Sequence, residues 1–277
     1  MFQPVAPISG VAGLRFLERT REAQQAAFDR SPQLARDIAY FEEKIAGIDT
    51  AEALVGDRRL LRVALGAFGL DGEISKGFFL RKILEGGSAE PDALANRLVD
   101  PRYRAFAQAF GFGDLGGSRT GLPDFAQEIT DAYRTRQFEV AVGNSDTSLR
   151  VALGFKREMP ELLAEGLDGN TLWLRVLGSP PLREVFDTAF ALPTAFATLD
   201  LDRQIEVYED RLRGLAGSAD PAQFADPEVL DRLVSRYLAL SGLNQGAAQA
   251  SSPALTLLQS SSGVGSGAVT NILLSTL

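Results

Sequence analysis

The side chains that could do chemistry in this 277-residue chain are carboxylates, lysines, arginines, tyrosines and hydroxyls, because it contains neither histidine nor cysteine. The commonest general base and metal ligand is missing with the first, the thiol nucleophile and the disulfide with the second. A carboxylate pair can still cleave a glycosidic bond, one group as acid and the other as base or nucleophile. Two sets are spaced for it: Glu158, Glu161 and Glu165 behind Arg157, and Glu206, Glu209 and Asp210. Both sit at helical spacings beside arginine or lysine, the pattern of a solvated, salt-bridged helix face, and that reading explains them with less. A carboxylate-dependent hydrolase would need two carboxyls facing each other in one cleft.

Gly69-Leu70-Asp71-Gly72, followed by Glu73 and Ser75, is a fragment of a calcium loop. Lys76 and Phe78 interrupt it and no closing glutamate stands at the right distance. Asp168 and Asn170 run into Leu172 and Trp173, so both stretches read as turns between helices. Gly86-Gly87, Gly111-x-Gly113 and Gly116-Gly117 could cradle a phosphate, but none follows a strand pattern or ends in Gly-Lys-Ser/Thr. The stretch 113–118 reads as a flexible inter-helix loop. No catalytic residue, cofactor or metal follows from these motifs. The densest basic spot is Asp57-Arg58-Arg59 with Arg62. On a helix Arg58 and Arg62 lie one turn apart, suited to a partner or to an inter-helix ion pair, with an exposed solvated face as the default. Trp173, the only tryptophan, sits in an apolar run and is expected in the core.

The elements that must position these groups read as helices. Ser31-Pro32, Asp100-Pro101, Ser179-Pro180 and Asp226-Pro227 each place a capping side chain before a proline that loses no helical bond at the first position. Gly47, Gly111, Gly143 and Gly242 are expected to close helices. Leu34, Ile38, Phe41 and Ile45 draw one apolar face; Leu201, Ile205, Tyr208, Leu212 and Leu215 draw a second; Val229, Leu230, Leu233, Val234 and Tyr237 a third. The best strand candidate, 138–142, reads better as a helix end. The fold class is all-α, a multi-helix body with extended N- and C-terminal arms. Leu61-Arg62-Val63-Ala64-Leu65-Gly66 recurs as Leu149-Arg150-Val151-Ala152-Leu153-Gly154, Gly69-Leu70-Asp71-Gly72 as Gly166-Leu167-Asp168-Gly169, and Phe106, Ala109, Phe110 as Phe186, Ala189, Phe190. Chance among common helix words and a duplicated helical unit both account for this. The expected organisation is an arm or helix over 1–30, helical halves over 31–142 and 143–240, and a tail over 241–277.

The net charge of −8 disfavours nucleic acid and anionic membrane surfaces as partners. No stretch approaches the roughly 20 apolar residues of a membrane span. The N-terminus has no basic region followed by an apolar run, so a cleaved secretory signal is not expected. The first 14 residues and the stretch 241–277 carry no charged side chain. The tail is rich in Ser, Gly, Ala and Gln, with apolar knots at Leu255 to Leu258 and Ile272 to Leu274. It reads as a flexible segment with a docking patch, or as one that folds on a partner. Residues expected to meet a protein partner are Leu14, Leu17 and Phe28 near the N-terminus, Arg58, Arg59 and Arg62, and Leu255, Leu258, Ile272 and Leu274.

Asp57-Arg58-Arg59-Leu60-Leu61, continuing to Ala64-Leu65-Gly66-Ala67-Phe68-Gly69-Leu70, together with Asn96-Arg97-Leu98, Asp100-Pro101-Arg102-Tyr103, Phe106 and Phe110, resembles the bacterial domain-of-unknown-function family 1217. The likeness spans roughly residues 45–200 and rests on helix phrases. It implies no reaction and no catalytic residue. It implies a context, since members are often associated with flagellar gene clusters. The expectation is a non-enzymatic helical protein acting by contact with a protein partner such as a flagellar component, cytoplasmic or exported through the flagellar apparatus. A cytoplasmic adaptor or chaperone is the alternative, with the hydrolase behind it.

Overall fold

The computed structural model describes residues 2–250, with side chains as far as Leu243. Thirteen α-helices and no strand occur among the described residues. They are α1 Gly10–Asp29, α2 Pro32–Lys44, α3 Ala51–Gly56, α4 Arg58–Ala67, α5 Gly77–Gly86, α6 Leu94–Arg97, α7 Pro101–Phe110, α8 Phe125–Gly143, α9 Thr147–Ala164, α10 Gly169–Gly178, α11 Pro180–Ala189, α12 Leu201–Ala216 and α13 Pro227–Ala250. All four prolines expected at a first helical position start a helix: α2, α7, α11 and α13. The aspartates before them cap with their side chains, Asp100 accepting from Arg102 N–H and Asp226 from Glu228 N–H. The serines do not. Ser31 is buried and turns its hydroxyl onto Phe28 O instead.

Helix α8 is the axis of the body. Helices α4 and α2 pack on it, and α9 packs along it from the other half of the chain. Close approach of α4 depends on Gly66, where a Cβ would lie 2.6 Å from the Tyr133 ring of α8. Helices α11 and α13 cover α9, and α1 lies across α9, α13 and α8. One continuous apolar cluster runs from Leu14 to Leu238. A satellite of Ile83, Ala95 and Ala107 holds α5, α6 and α7 together. Trp173 is fully buried as expected, in edge contact with Phe186 and tilted on Tyr208.

The recurring phrases occupy related elements. The first pair lies on α4 and on α9, both packed on α8. Gly69 and Gly166, at φ of +68° and +67°, follow those helices. The paired phenylalanines stand at the ends of α7 and α11, Phe106 on Phe110 within α7 and Phe186 of α11 on Phe190 at its C-cap.

The stretch 138–142 ends α8, as expected of it. Several other expectations change. Helix α13 runs through Gly242 to Ala250, ten residues into the segment assigned to the tail. Its Ala, Gln and Leu are strong helix formers that outweigh two glycines, Gly242 and Gly246, at about 1 kcal/mol each. Leu201 is exposed, off the buried face of Ile205, Tyr208 and Leu212. The N-terminal segment is extended as expected but lies on the body: the Gln24 amide accepts from Val5 N–H at 2.7 Å and donates to Val5 O at 3.1 Å, as a paired strand would.

Candidate functional site

Arg58, Arg59 and Arg62 lie at the start of α4, where Asp57 caps the helix by accepting from Arg59 N–H and Leu60 N–H. Tyr40 of α2 donates its hydroxyl to the same carboxylate at 2.6 Å. Burial works to raise the Asp57 pKa, but these three hydrogen bonds outweigh it and hold the group below the usual carboxylate range. The Arg59 guanidinium stacks 4.0 Å from the Tyr40 ring centroid and donates to Arg36 O. Arg59 and Arg62 both approach the buried Asp37 carboxylate at 3.7 Å, with Gln33 donating to it from one helical turn away. The inter-helix ion pair considered from the sequence is therefore present. Two of the three arginines tie α4 to α2 while their side chains stay more than 40% exposed. Arg58 is exposed and has no hydrogen-bond or ion-pair partner among the described residues.

The remaining expected contact residues have different surroundings. Leu14, Leu17 and Phe28 are buried in the body, Phe28 edge-on to Phe138, so they present no apolar face to a partner. Leu255, Leu258, Ile272 and Leu274 lie outside the described residues.

A polar cleft of about 350 Å³ opens between α8, α9, α7 and the start of α11. Arg157 is its hub. It donates through Nε and Nη2 to both oxygens of Glu139, and through Nη2 to Glu158. Arg136 donates to Glu158 at 3.0 Å and to Ala67 O at 2.6 Å. Burial, and then neighbouring Arg157, lower the Arg136 pKa. Burial raises that of Glu161 at the rim. The expected row of Glu158 and Glu161 is thus paired with arginine, but Glu158 is mostly buried in the cleft. Glu139 and Arg136 were not anticipated, because only the α8–α9 packing brings them there. Glu139 and Glu158 both accept from the one Arg157 guanidinium. The second carboxylate set lies on the α12 surface, Glu206 paired with Arg203 and Asp210 with Arg213.

The glycine loop is a filled anion nest. Asp114 accepts from Ser88 N–H at 2.7 Å and Ala89 N–H at 2.9 Å, where a phosphate oxygen would sit. Gly87 has φ +64°, and a Cβ there would lie 2.3 Å from the Asp114 carboxylate. The segment expected to be a flexible loop is in this way stitched to the end of α5. Asp168 caps α10 through Thr171 N–H, and Asp71 accepts from Gln137. Among the described residues no three of His, Cys, Asp and Glu are grouped to hold a metal ion. No described helix is long and apolar enough to cross a membrane.

These features define an all-α protein with one arginine-rich outer face and an internal arginine–glutamate network. The chain belongs to the family described as protein of unknown function (DUF1217), whose model matches residues 67–230. Its fold is similar to the crystal structure of protein AGR_C_984 from Agrobacterium tumefaciens, with a TM-score of 0.71 and 24% identity over 87% of this chain and 99% of that one. No curated protein matches.

Proposed function

We propose that this is a non-enzymatic helical protein that acts by contact with a protein partner in bacterial flagellar assembly or motility. The observation that carries the contact reading is the α2–α4 face. Arg58 is exposed and unpaired, and Arg59 and Arg62 are half-exposed over a single buried carboxylate. Arginine beside aromatic side chains is the composition of energetic centres in protein interfaces. The non-enzymatic reading is supported by the cleft carboxylates, which are committed to Arg136 and Arg157. The flagellar context rests on the family resemblance.

The test is a deletion strain scored for swimming and for assembled flagella, complemented with the wild-type chain or with Arg58→Glu. Restoration by the wild type but not by Arg58→Glu, at equal protein level, supports the reading. Normal swimming in the deletion strain sinks the motility link. Export is tested in the same strains by comparing cells and supernatant with and without the export apparatus. A truncation that probes the N-terminal segment should stop before Gly10, since Leu14 and Leu17 belong to the core.

A further inference from the structure

We infer that the arginine face of one copy docks on the start of α12 of a second copy, giving a head-to-tail contact between identical chains. The inference rests on the reading of the α2–α4 face as a contact surface and names its occupant. That face extends beyond the arginines. Helix α3 packs on both α4 and α5, and a Cβ at Gly77 would lie 3.2 Å from Val55, so the start of α5 sits beside the end of α3, which is joined to Arg58 at the start of α4 through Asp57 alone. There Phe78 is 71% exposed, with the Arg81 and Lys82 cations 5.8 and 5.9 Å from its ring centroid. Arg81 and Lys82 are both paired with Glu85, and Arg81 also approaches Glu52, so the patch offers Phe78 as its large aromatic group and Arg58 as its free positive charge.

The complement lies elsewhere on the same chain. Leu199 and Leu201 are 41% and 53% exposed, alternating with the exposed Asp200 and Asp202. Asp200 stands at the N-cap of α12 but makes no side-chain capping bond, so its carboxylate is not used by its own helix. A preference for acids at a helix start accounts for Asp202; it accounts neither for the uncapping carboxylate nor for the two exposed leucines. The wider surface has the same sign, since residues 200–231 hold nine carboxylates against three arginines in a chain of net charge −8. Helix α12 packs on α10 and the 3₁₀ turn Pro221–Ala225, away from α2, α4 and α5. Two different patches meeting in this way form a heterologous contact, which leaves one of each free at the ends of an open assembly.

Sedimentation velocity on the full chain tests this. At low salt the weight-average mass of the wild type should rise with concentration, and added salt should reverse the rise. Arg58→Glu and the double variant Asp200→Lys/Asp202→Lys should each weaken association by about tenfold or more. Mixing the two variants should restore it, because the reversed faces match each other. All these side chains are exposed, so thermal melts should shift only slightly, the lysines at the start of α12 costing about 0.3–1 kcal/mol each against the helix dipole. A wild type that stays monomeric at low salt, or a mixture no better than either variant alone, overturns the inference. If the wild type is monomeric while Arg58→Glu still fails to restore swimming, self-association falls and the contact reading stands. If it associates while Arg58→Glu restores swimming, the reverse holds.

Discussion

Asp57 shows how one residue can serve both the fold and the candidate face. Its carboxylate closes the first turn of α4 and receives the Tyr40 hydroxyl from α2. Asp57→Ala should cost about 1 kcal/mol, the usual worth of an N-cap, in urea unfolding. Arg58→Ala, one residue on, should stay within about 0.5 kcal/mol because the side chain has no partner. The Asp57 pKa is lowered in the folded chain. Its contribution is therefore complete above the unfolded carboxylate value and is lost as pH falls through the lower folded one. Asp57→Asn should accordingly flatten the loss of stability on acidification below about pH 4, and an unchanged acid limb would show that the capping bonds contribute little.

At the level of elements, the helices were legible and their partners were not. Proline located the start of four helices, two of them also capped by the preceding aspartate, since both features act within one turn. The stripe Leu34, Ile38, Phe41 and Ile45 is buried throughout, because a helix face depends only on local periodicity. The row Arg157, Glu158 and Glu161 was legible as a charged face, but not as the wall of a cleft. Its burial comes from Arg136 and Glu139, on a helix whose pairing with α9 no local pattern encodes. The same holds for Asp114, whose ligands are N–H groups 25 and 26 residues away. Glu139 is only 4% exposed, so Arg157→Ala leaves a buried carboxylate without its cation. That should cost about 3–5 kcal/mol, with Arg157→Met no better because the same charge stays unpaired. Adding Glu139→Gln to Arg157→Met should recover a measurable part of the loss. A double-mutant cycle in urea reads this coupling, and simple additivity would mean that the pair is independent.

Across the whole molecule, tyrosines repeat one device: four of the five hydrogen-bond to a carboxylate on another element. Tyr40 joins α2 to Asp57, Tyr103 joins α7 to Glu73, Tyr208 joins α12 to Asp187 of α11, and Tyr237 joins α13 to Glu184 of α11. The fifth, Tyr133, is buried at the α4–α8 contact. Each phenol faces low dielectric or a negative charge, and both disfavour the phenolate. Burial, reinforced by Glu73, pushes Tyr103 up to about 12. Burial, followed by Asp37 and Asp71, does the same for Tyr133. Burial with Asp187 raises Tyr208, and burial with Glu184 raises Tyr237. A tyrosine in the unfolded chain loses its proton near pH 10. Above that value the unfolded state binds fewer protons than the folded state, so stability must fall as pH rises from about 10 to about 12. Tyr133 alone contributes on the order of 2–3 kcal/mol over that window. Phenolate absorbance should therefore appear in one cooperative step coincident with loss of helical circular dichroism. Tyr208→Phe should move that step to higher pH, because it removes one proton release while keeping the ring. At neutral pH the same variant should lose about 1 kcal/mol or more, since the Asp187 carboxylate gives up its donor. Phenolate signals that titrate in full while the helices remain intact would refute the linkage.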